Sequence, residues 1–241
     1  MDLIARVDSV RRATPSARIV RVALGAEFPY LAGQAVMVGP VGSTEQVPYS
    51  IASAPEDTAA DGHLEFLIKD DGRGRWGSDF EPLRRGARLA IAGPLGSFTF
   101  PGHPQAHSFL FIGGGTGISP LRSMLRHVLA LDQGAMLRPD GKRRRVSVLY
   151  SARTPEDFAY GAELRRLARR GEISLVLTAT RHSTSRWKGK RGRIVPGELA
   201  LLVDDAATLC FVCGPASMVA DVPLMLQDLG IDRARIRVEE W

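Results

Sequence analysis

The chain has 241 residues, 44% of them hydrophobic and 24% charged, a length and balance that suit one large or two small globular domains with a real core. Its N-terminal run MDLIARVDSVRRA lacks the long apolar centre of a signal peptide, and no apolar run approaches the about 18 residues of a membrane span, so a cytoplasmic protein without membrane insertion is expected. The net charge of +6 points to acidic partners: nucleic acid, an anionic membrane, an acidic protein or a phosphorylated ligand.

Strand-like runs occupy 3–10, 17–24, 34–39, 48–53, 64–69 and 88–93, most of them separated by glycine, proline or acidic turn clusters. Many short strands at such spacing predict a small antiparallel β-barrel. The one helical stretch suggested in this half is WGSDFEPL, 76–83. FPGHPQAH, 100–107, carries two prolines and a glycine and reads as a linker, dividing the chain into domains 1–101 and 105–241. Beyond it strands at 108–112, 145–150, 173–178, 208–212 and 235–239 alternate with helical patterns. Leu121, Met124, Leu125, Val128 and Leu129 recur at helical spacing, as do Met218, Val219, Val222, Met225, Leu226 and Leu229, and both stripes are assigned to the core. This alternation predicts an α/β doubly wound, five-stranded parallel sheet. The basic block KRRR, 142–145, reads as a solvated turn after PDG.

The two cysteines, Cys210 and Cys213, bracket the apolar strand CFVC. Three apart on a strand, they point to opposite faces, so a thioredoxin-like redox pair is not expected. Two cysteines are also too few for an iron–sulfur cluster, which usually takes four. His103 and His107 are four apart, but Pro104 breaks the helix that would align them, and no metal site is expected.

The segment SFLFIGGGTGISPLRSML, 108–125, joins the first strand of the second half to its first helix. Gly113, Gly114, Gly115 and Gly117 strip the turn of side chains, and the G-x-G-x-x-P pattern differs from the G-x-G-x-x-G of dinucleotide dehydrogenases. Ser119 suits a helix cap and Pro120 a first helical position. Bare backbone at a helix start beside the first crossover favours a phosphate site over a plain tight turn. The second strand ends in YSARTPEDF, with Arg153 at its tip and Glu156 and Asp157 close behind. After the third strand, six lysines and arginines fall between Arg181 and Arg193, with no acid among them. Arginine forks suit a 2′-phosphate and an acid suits a free ribose, so NADP(H) is favoured over NAD(H).

A small barrel followed by a nucleotide-binding half resembles the ferredoxin–NADP⁺ reductase-like flavoproteins, and four segments in order carry the likeness. YSIAS (49–53) is similar to the family's flavin-binding Arg-x-Tyr-Ser motif. GGGTGISP (113–120) is similar to its nucleotide loop, and CGPASM (213–218) to its Cys-Gly motif beside the nicotinamide. The closing VEEW resembles the family's acidic last strand ending in an aromatic residue.

The resemblance implies FAD, with FMN as the alternative, and a pyridine nucleotide. It places Tyr49 flat on the flavin ring and Ser50 near its N5 atom, with Ile51, Ser53 and Lys69 also on the flavin. Gly77 and Ser78 would form its phosphate loop. Gly114, Gly115, Thr116 and Gly117 would hold the nucleotide, and Arg153, Arg181 and Arg193 its 2′-phosphate. Cys213, Gly214 and Glu239 would flank the point of hydride transfer, and Trp241 would cover the ring until nicotinamide displaces it. Ser50, Cys213, Glu239 and Trp241 are thus the catalytic candidates. The chain departs from the motif at Val47, where the family carries an arginine on the flavin pyrophosphate; Arg73 and Arg75 are candidates to replace it.

The implied function is hydride transfer from NADPH to FAD, then release of single electrons to a separate acidic acceptor protein, ferredoxin or flavodoxin. Two alternatives stay open: an NADH-dependent reductase component of an oxygenase or haem system, and a nucleotide-binding regulatory module without redox turnover. A short-chain alcohol dehydrogenase is disfavoured because neither Tyr150 nor Tyr160 has a lysine four residues on. A nucleic-acid-binding barrel would need interleaved exposed aromatics that the chain lacks at obvious spacing.

Overall fold

A computed structural model describes residues 2–69, 84–102, 106–133, 144–181, 187–203 and 205–240. Strands β1 (Asp2–Thr14), β2 (Ala17–Ala23), β3 (Ala35–Pro40), β4 (Val47–Ser50), β5 (His63–Lys69) and β6 (Arg88–Leu95) form one antiparallel sheet in the order β4-β3-β6-β1-β2-β5. The sheet closes just past β4, where Ile51 bridges Phe66 of β5 and the Ala52 N–H donates to Glu65 O at 2.8 Å. Closure removes both open edges and makes the expected barrel.

Inward-facing Val20, Val22, Leu64, Phe66 and Ile68 fill the barrel. Ile19 and Leu67 point the other way and are buried all the same, in a second core. That double burial puts apolar residues on both faces of β2 and β5 in place of a clean alternation.

Helix α1 (Pro55–Asp61) was not anticipated. Pro55 starts it, Asp57 Oδ2 accepts the Ala54 N–H at 3.0 Å, and Gly62 ends it with a φ of 70°. Its sequence, PEDTAAD, is too short and too polar to show a helical stripe. The helix suggested at 76–83 lies outside the described residues.

The second half contains β7 (Ser108–Gly114), α2 (Ile118–Gln133), β8 (Arg145–Ala152), α3 (Gly161–Arg169), β9 (Ser174–Ala179) and β10 (Lys190–Arg191), then α4 (Pro196–Ala200), β11 (Leu209–Gly214), α5 (Ala216–Asp228) and β12 (Ile236–Glu240). Its sheet is parallel throughout, in the order β10-β9-β8-β7-β11-β12. Five of these strands were expected. The sixth, β10, is two exposed basic residues with no apolar pattern to betray it.

The two sheets share a core. Ile19, Leu67, Phe98 and Phe100 from the barrel side pack in one cluster with Phe109, Phe111, Met124 and Phe211 of the second half. Gly33, at a φ of 102°, lies where an added Cβ would collide with Met124 of α2 and with Phe98 O. The connecting segment takes part as well, since Phe100 and Ala106 are both buried. Among the described residues no helix is long and apolar enough to cross a membrane.

Candidate functional site

The strand order reverses at β7, with β8 on one side of it and β11 on the other. At such a switch point the loops leaving adjacent strands diverge and open a crevice beyond their carboxyl ends. A cleft of about 790 Å³ lies there. One wall is Gly114, Gly115 and Thr116 after β7, with Pro215, Ser217 and Met218 after β11. The facing wall comes from the barrel: Thr14, Ser16, Ala17, Leu67 and Lys69. Arg153, Arg181 and Arg193 line it as well, together with the acids Asp157 and Asp221, so residues 40 positions apart in sequence meet at one site as the two strand tips suggested.

The glycines of this loop do different work. Gly115 has a φ of 57° and open space where a Cβ would be. Gly117 packs on the neighbouring strand, where an added Cβ would strike Cys213 O and lie 2.7 Å from its carbonyl carbon. A Cβ on Gly114 would come within 2.8 Å of Met218 Cε and Pro215 Cδ. Two of the four therefore let the β7 and β11 loops touch, and Gly115 supplies the left-handed turn. Tyr150, fully buried, donates its hydroxyl to Gly115 O at 2.9 Å. Burial raises the pKa of this phenol, so it remains a protonated donor at ordinary pH. Ser119 does not cap α2, which already starts at Ile118; its hydroxyl is buried in the first turn without a protein partner. Gly117→Ala is expected to cost about 1–3 kcal/mol, because rigid backbone rather than a flexible side chain must yield. Thermal unfolding and nucleotide titration should show lower stability and weaker binding together.

The arginine rim is held by main chain. The Arg181 N–H donates to Arg153 O at 2.6 Å, tying the loops after β8 and β9. Thr178 Oγ1 donates to Gly192 O at 2.8 Å, which pins the stretch leading to Arg193. Asp157, the competing acid at this tip, accepts from Thr154 N at 3.1 Å and Thr154 Oγ1 at 3.0 Å and so serves as a local cap. Bare glycine backbone and three arginines line the same cleft, a composition that fits a phosphorylated dinucleotide.

At the ends of β11 and β12 the register pairs Cys213 with Glu239, and Cys213 Sγ is 3.9 Å from Glu239 Oε2. Burial, reinforced by the Glu239 charge, pushes this thiol well up, and burial pushes Cys210 up to about 12. The two cysteines belong to separate cores on opposite faces of the sheet. Both are thus inert thiols in the folded protein. A disulfide-exchange reagent at pH 8 should label neither rapidly, and both after denaturation; fast native labelling would contradict this burial.

Comparison with known proteins agrees with this arrangement. Residues 5–100 match the oxidoreductase FAD-binding domain and residues 111–223 the oxidoreductase NAD-binding domain. Over 252 aligned residues the chain is 38% identical to ferredoxin–NADP reductase B of Sorangium cellulosum, covering 98% of this chain and 96% of that one. The chain belongs to the ferredoxin–NADP reductase family. It is a flavin-dependent NAD(P)H oxidoreductase that passes electrons to a partner protein. The reductase is also 33% identical to the reductase component of propane 2-monooxygenase from Rhodococcus jostii, over 69% of this chain but only 41% of that protein. Among solved structures, the ferredoxin reductase of carbazole 1,9a-dioxygenase superposes with a TM-score of 0.80 at 27% identity, covering 100% of this chain and 69% of that one.

On the flavin side of the reductase, Tyr49 is half-buried and Ser50 buried at the end of β4. Carrying the register of the barrel seam one residue on sets Ser50 opposite Leu67, which lines the cleft. Lys69 lines it too, at the end of β5. Tyr49 packs against the barrel core, and neither it nor Ser50 is among the residues that line the cleft. Ile51 packs inside the barrel. The Ser53 hydroxyl accepts the Glu65 N–H at 3.2 Å and lies 3.2 Å from both Tyr30 Oη and Thr58 Oγ1. Gly77, Ser78, Arg73, Arg75 and Trp241 lie outside the described residues.

Periodicity missed some of the lining. Met218 and Met225 were assigned to the core, and both line the cleft while also packing on it. A helix that borders a cleft puts one edge of its apolar stripe at the opening, and sequence spacing does not distinguish that edge.

Proposed function

We propose that this reductase oxidises NADPH, reduces FAD and delivers single electrons to a separate acidic acceptor such as ferredoxin or flavodoxin. FAD supplies the chemistry that splits one hydride equivalent into two single electrons. The observation that carries the choice of NADPH is the convergence of Arg153, Arg181 and Arg193 on one cleft; of the two acids that also line it, Asp157 is engaged as a cap and Asp221 belongs to α5, away from the tips of β8 and β9.

In this reading residues 1–101 hold the flavin and 105–241 the nucleotide. Thr116 and the backbone of Gly114, Gly115 and Gly117 hold the nucleotide phosphates, and Gly214 lets the two loops approach. Tyr49 supports the flavin ring, with Lys69 beside it and Gly77 and Ser78 as its phosphate loop; Ile51 and Ser53, expected on the flavin, are instead buried behind the segment and hold it in place. Ser50, Cys213 and Glu239 surround the point of transfer. Because both its thiol and its position are buried, Cys213 acts by shape and weak hydrogen bonding rather than as a nucleophile. Trp241 is assigned the exposed ring face on the family likeness. With Val47 in place of the motif arginine, one pyrophosphate contact must come from elsewhere, and Arg73 or Arg75 would supply it. The net charge of +6 suits an acidic acceptor, steered to the reductase by long-range attraction.

The kinship with the Rhodococcus component supports a second reading, in which the acceptor is an oxygenase system and the donor is NADH. Anaerobic titration of the FAD-loaded protein with NADPH and NADH, followed by a stopped-flow screen of acceptors at several salt concentrations, separates the two. The first reading expects reduction at far lower NADPH than NADH and a ferredoxin or flavodoxin rate that falls steeply with salt. Preference for NADH would favour the second. No reduction by either nucleotide would leave a regulatory module.

A further inference from the structure

Two consecutive side chains of α2 reach the backbone of the flavin segment. Arg122 Nη1 donates to Ala52 O at 2.6 Å, and Ser123 Oγ donates to Ser53 O at 2.6 Å. Those carbonyls lie two and three residues past Ser50, and α2 starts directly after Gly117. The pair thus bridges the flavin segment and the nucleotide loop by a short, direct route. Neither residue is part of the cleft lining.

The surroundings hold this bridge rigid. Ser123 is wholly buried and Arg122 only 8% exposed. A buried guanidinium is tolerated only when its charge is met on several sides. Arg122 Nε donates to Glu163 Oε2 at 2.8 Å, Nη1 lies 3.2 Å from Glu65 Oε1 beside the barrel seam, and the guanidinium stacks 4.3 Å above the Tyr160 ring. One turn on, Arg126 forks Asp57 of α1 at 2.5 and 2.6 Å and reaches Glu163 Oε1 at 2.8 Å. Apolar contacts alone do not fix how two bodies are rotated or shifted, because the hydrophobic effect is non-directional. Bonds to two successive carbonyls do.

We propose that Arg122 and Ser123 are positioning residues that fix the approach of nicotinamide to flavin without touching either. The inference rests on the reading of residues 49–53 as the flavin segment and of 113–117 as the nucleotide loop. Hydride transfer needs reacting atoms about 3–3.5 Å apart, and a misplacement of about 1 Å can cost about 100-fold. Loss of the pair should therefore reduce the rate of transfer while leaving both binding sites in place.

The test uses FAD-loaded Ser123→Ala, Arg122→Met and Arg122→Lys proteins mixed anaerobically with NADPH. The limiting rate of flavin reduction should fall about 10-fold in Ser123→Ala and about 100-fold in Arg122→Met, with half-saturating NADPH within about twofold of wild type. The flavin–nicotinamide charge-transfer absorbance expected when the two rings stack should weaken in parallel. Arg122→Lys, which keeps a donor for Ala52 O, should recover part of both signals. Should Arg122→Met fail to fold, Ser123→Ala decides, since it removes a single hydroxyl. A lower melting temperature with an unchanged limiting rate and unchanged charge-transfer band would reduce the pair to a structural contact and overturn the proposal. So would a loss confined to NADPH half-saturation. A wild-type protein that takes up FAD yet is reduced by neither nucleotide overturns the reading of the site itself, and the pair with it.

Discussion

Phe211→Ala is expected to destabilise the protein by about 3–5 kcal/mol, the range for truncating a large buried aromatic side chain. Phe211 lies in β11, fully buried, at the centre of an aromatic cluster. Its ring stacks on Phe111 at 5.3 Å and on Phe100 at 5.7 Å, and meets Phe98 edge-on at 6.1 Å. Phe111 belongs to the parallel sheet, whereas Phe98 and Phe100 come from the chain just after the barrel's last strand. Arg237 adds a further tie, donating to Thr99 O at 2.6 Å with its guanidinium 5.8 Å from the Phe211 ring. The cavity left by alanine would open on both halves at once. Unfolding in urea, followed by far-ultraviolet circular dichroism and by flavin release, should shift to lower denaturant and remain one transition. A loss below about 1 kcal/mol would mean the neighbouring rings collapse into the space. Two separate transitions in the wild type would show that the halves do not depend on a common core.

Arg181→Ala is expected to weaken NADPH binding about 10- to 100-fold while changing NADH binding less than about threefold. A hydrogen bond to a charged group contributes about 1.5–3 kcal/mol, and about 1.4 kcal/mol is a factor of ten in affinity. NADH has no 2′-phosphate, so it loses nothing at this point. Arg181 is exposed, which lets water screen its charge and sets the lower end of that range. Arg181→Lys should fall between the two, because an ammonium keeps the charge but not the fork. Binding of the oxidised nucleotides, titrated by difference absorbance, measures this without turnover. Equal losses for both nucleotides would remove Arg181 from the 2′-phosphate site.

Much of the architecture was legible in the residues. Strand runs, helical stripes and the alternation of the second half are local patterns, and the barrel and parallel sheet follow them. The exceptions have local reasons too. β10 is two exposed basic residues, and α1 is seven residues without a stripe. Ser119 looked like a cap because of the proline after it, but the three-residue turn Gly115–Gly117 brings the helix start forward to Ile118. The glycine loop, Arg153 and the basic loop from Arg181 to Arg193 stand out at strand ends, the family resemblance singles out the three arginines, and Gly114, Gly115, Arg153, Arg181 and Arg193 all line one cleft.

The amino-acid sequence by itself determined the two kinds of sheet, their chain order and the chemistry offered at the strand tips, because periodicity and turn chemistry act between near neighbours. Only the tertiary structure decided that the halves share one aromatic core, that Gly117 makes room for Cys213, and that Arg122 and Ser123 grip the carbonyls of Ala52 and Ser53. Those contacts join residues 70 or more positions apart, in the case of Arg122 and Ser123, and no local pattern encodes where two distant surfaces come to rest against each other.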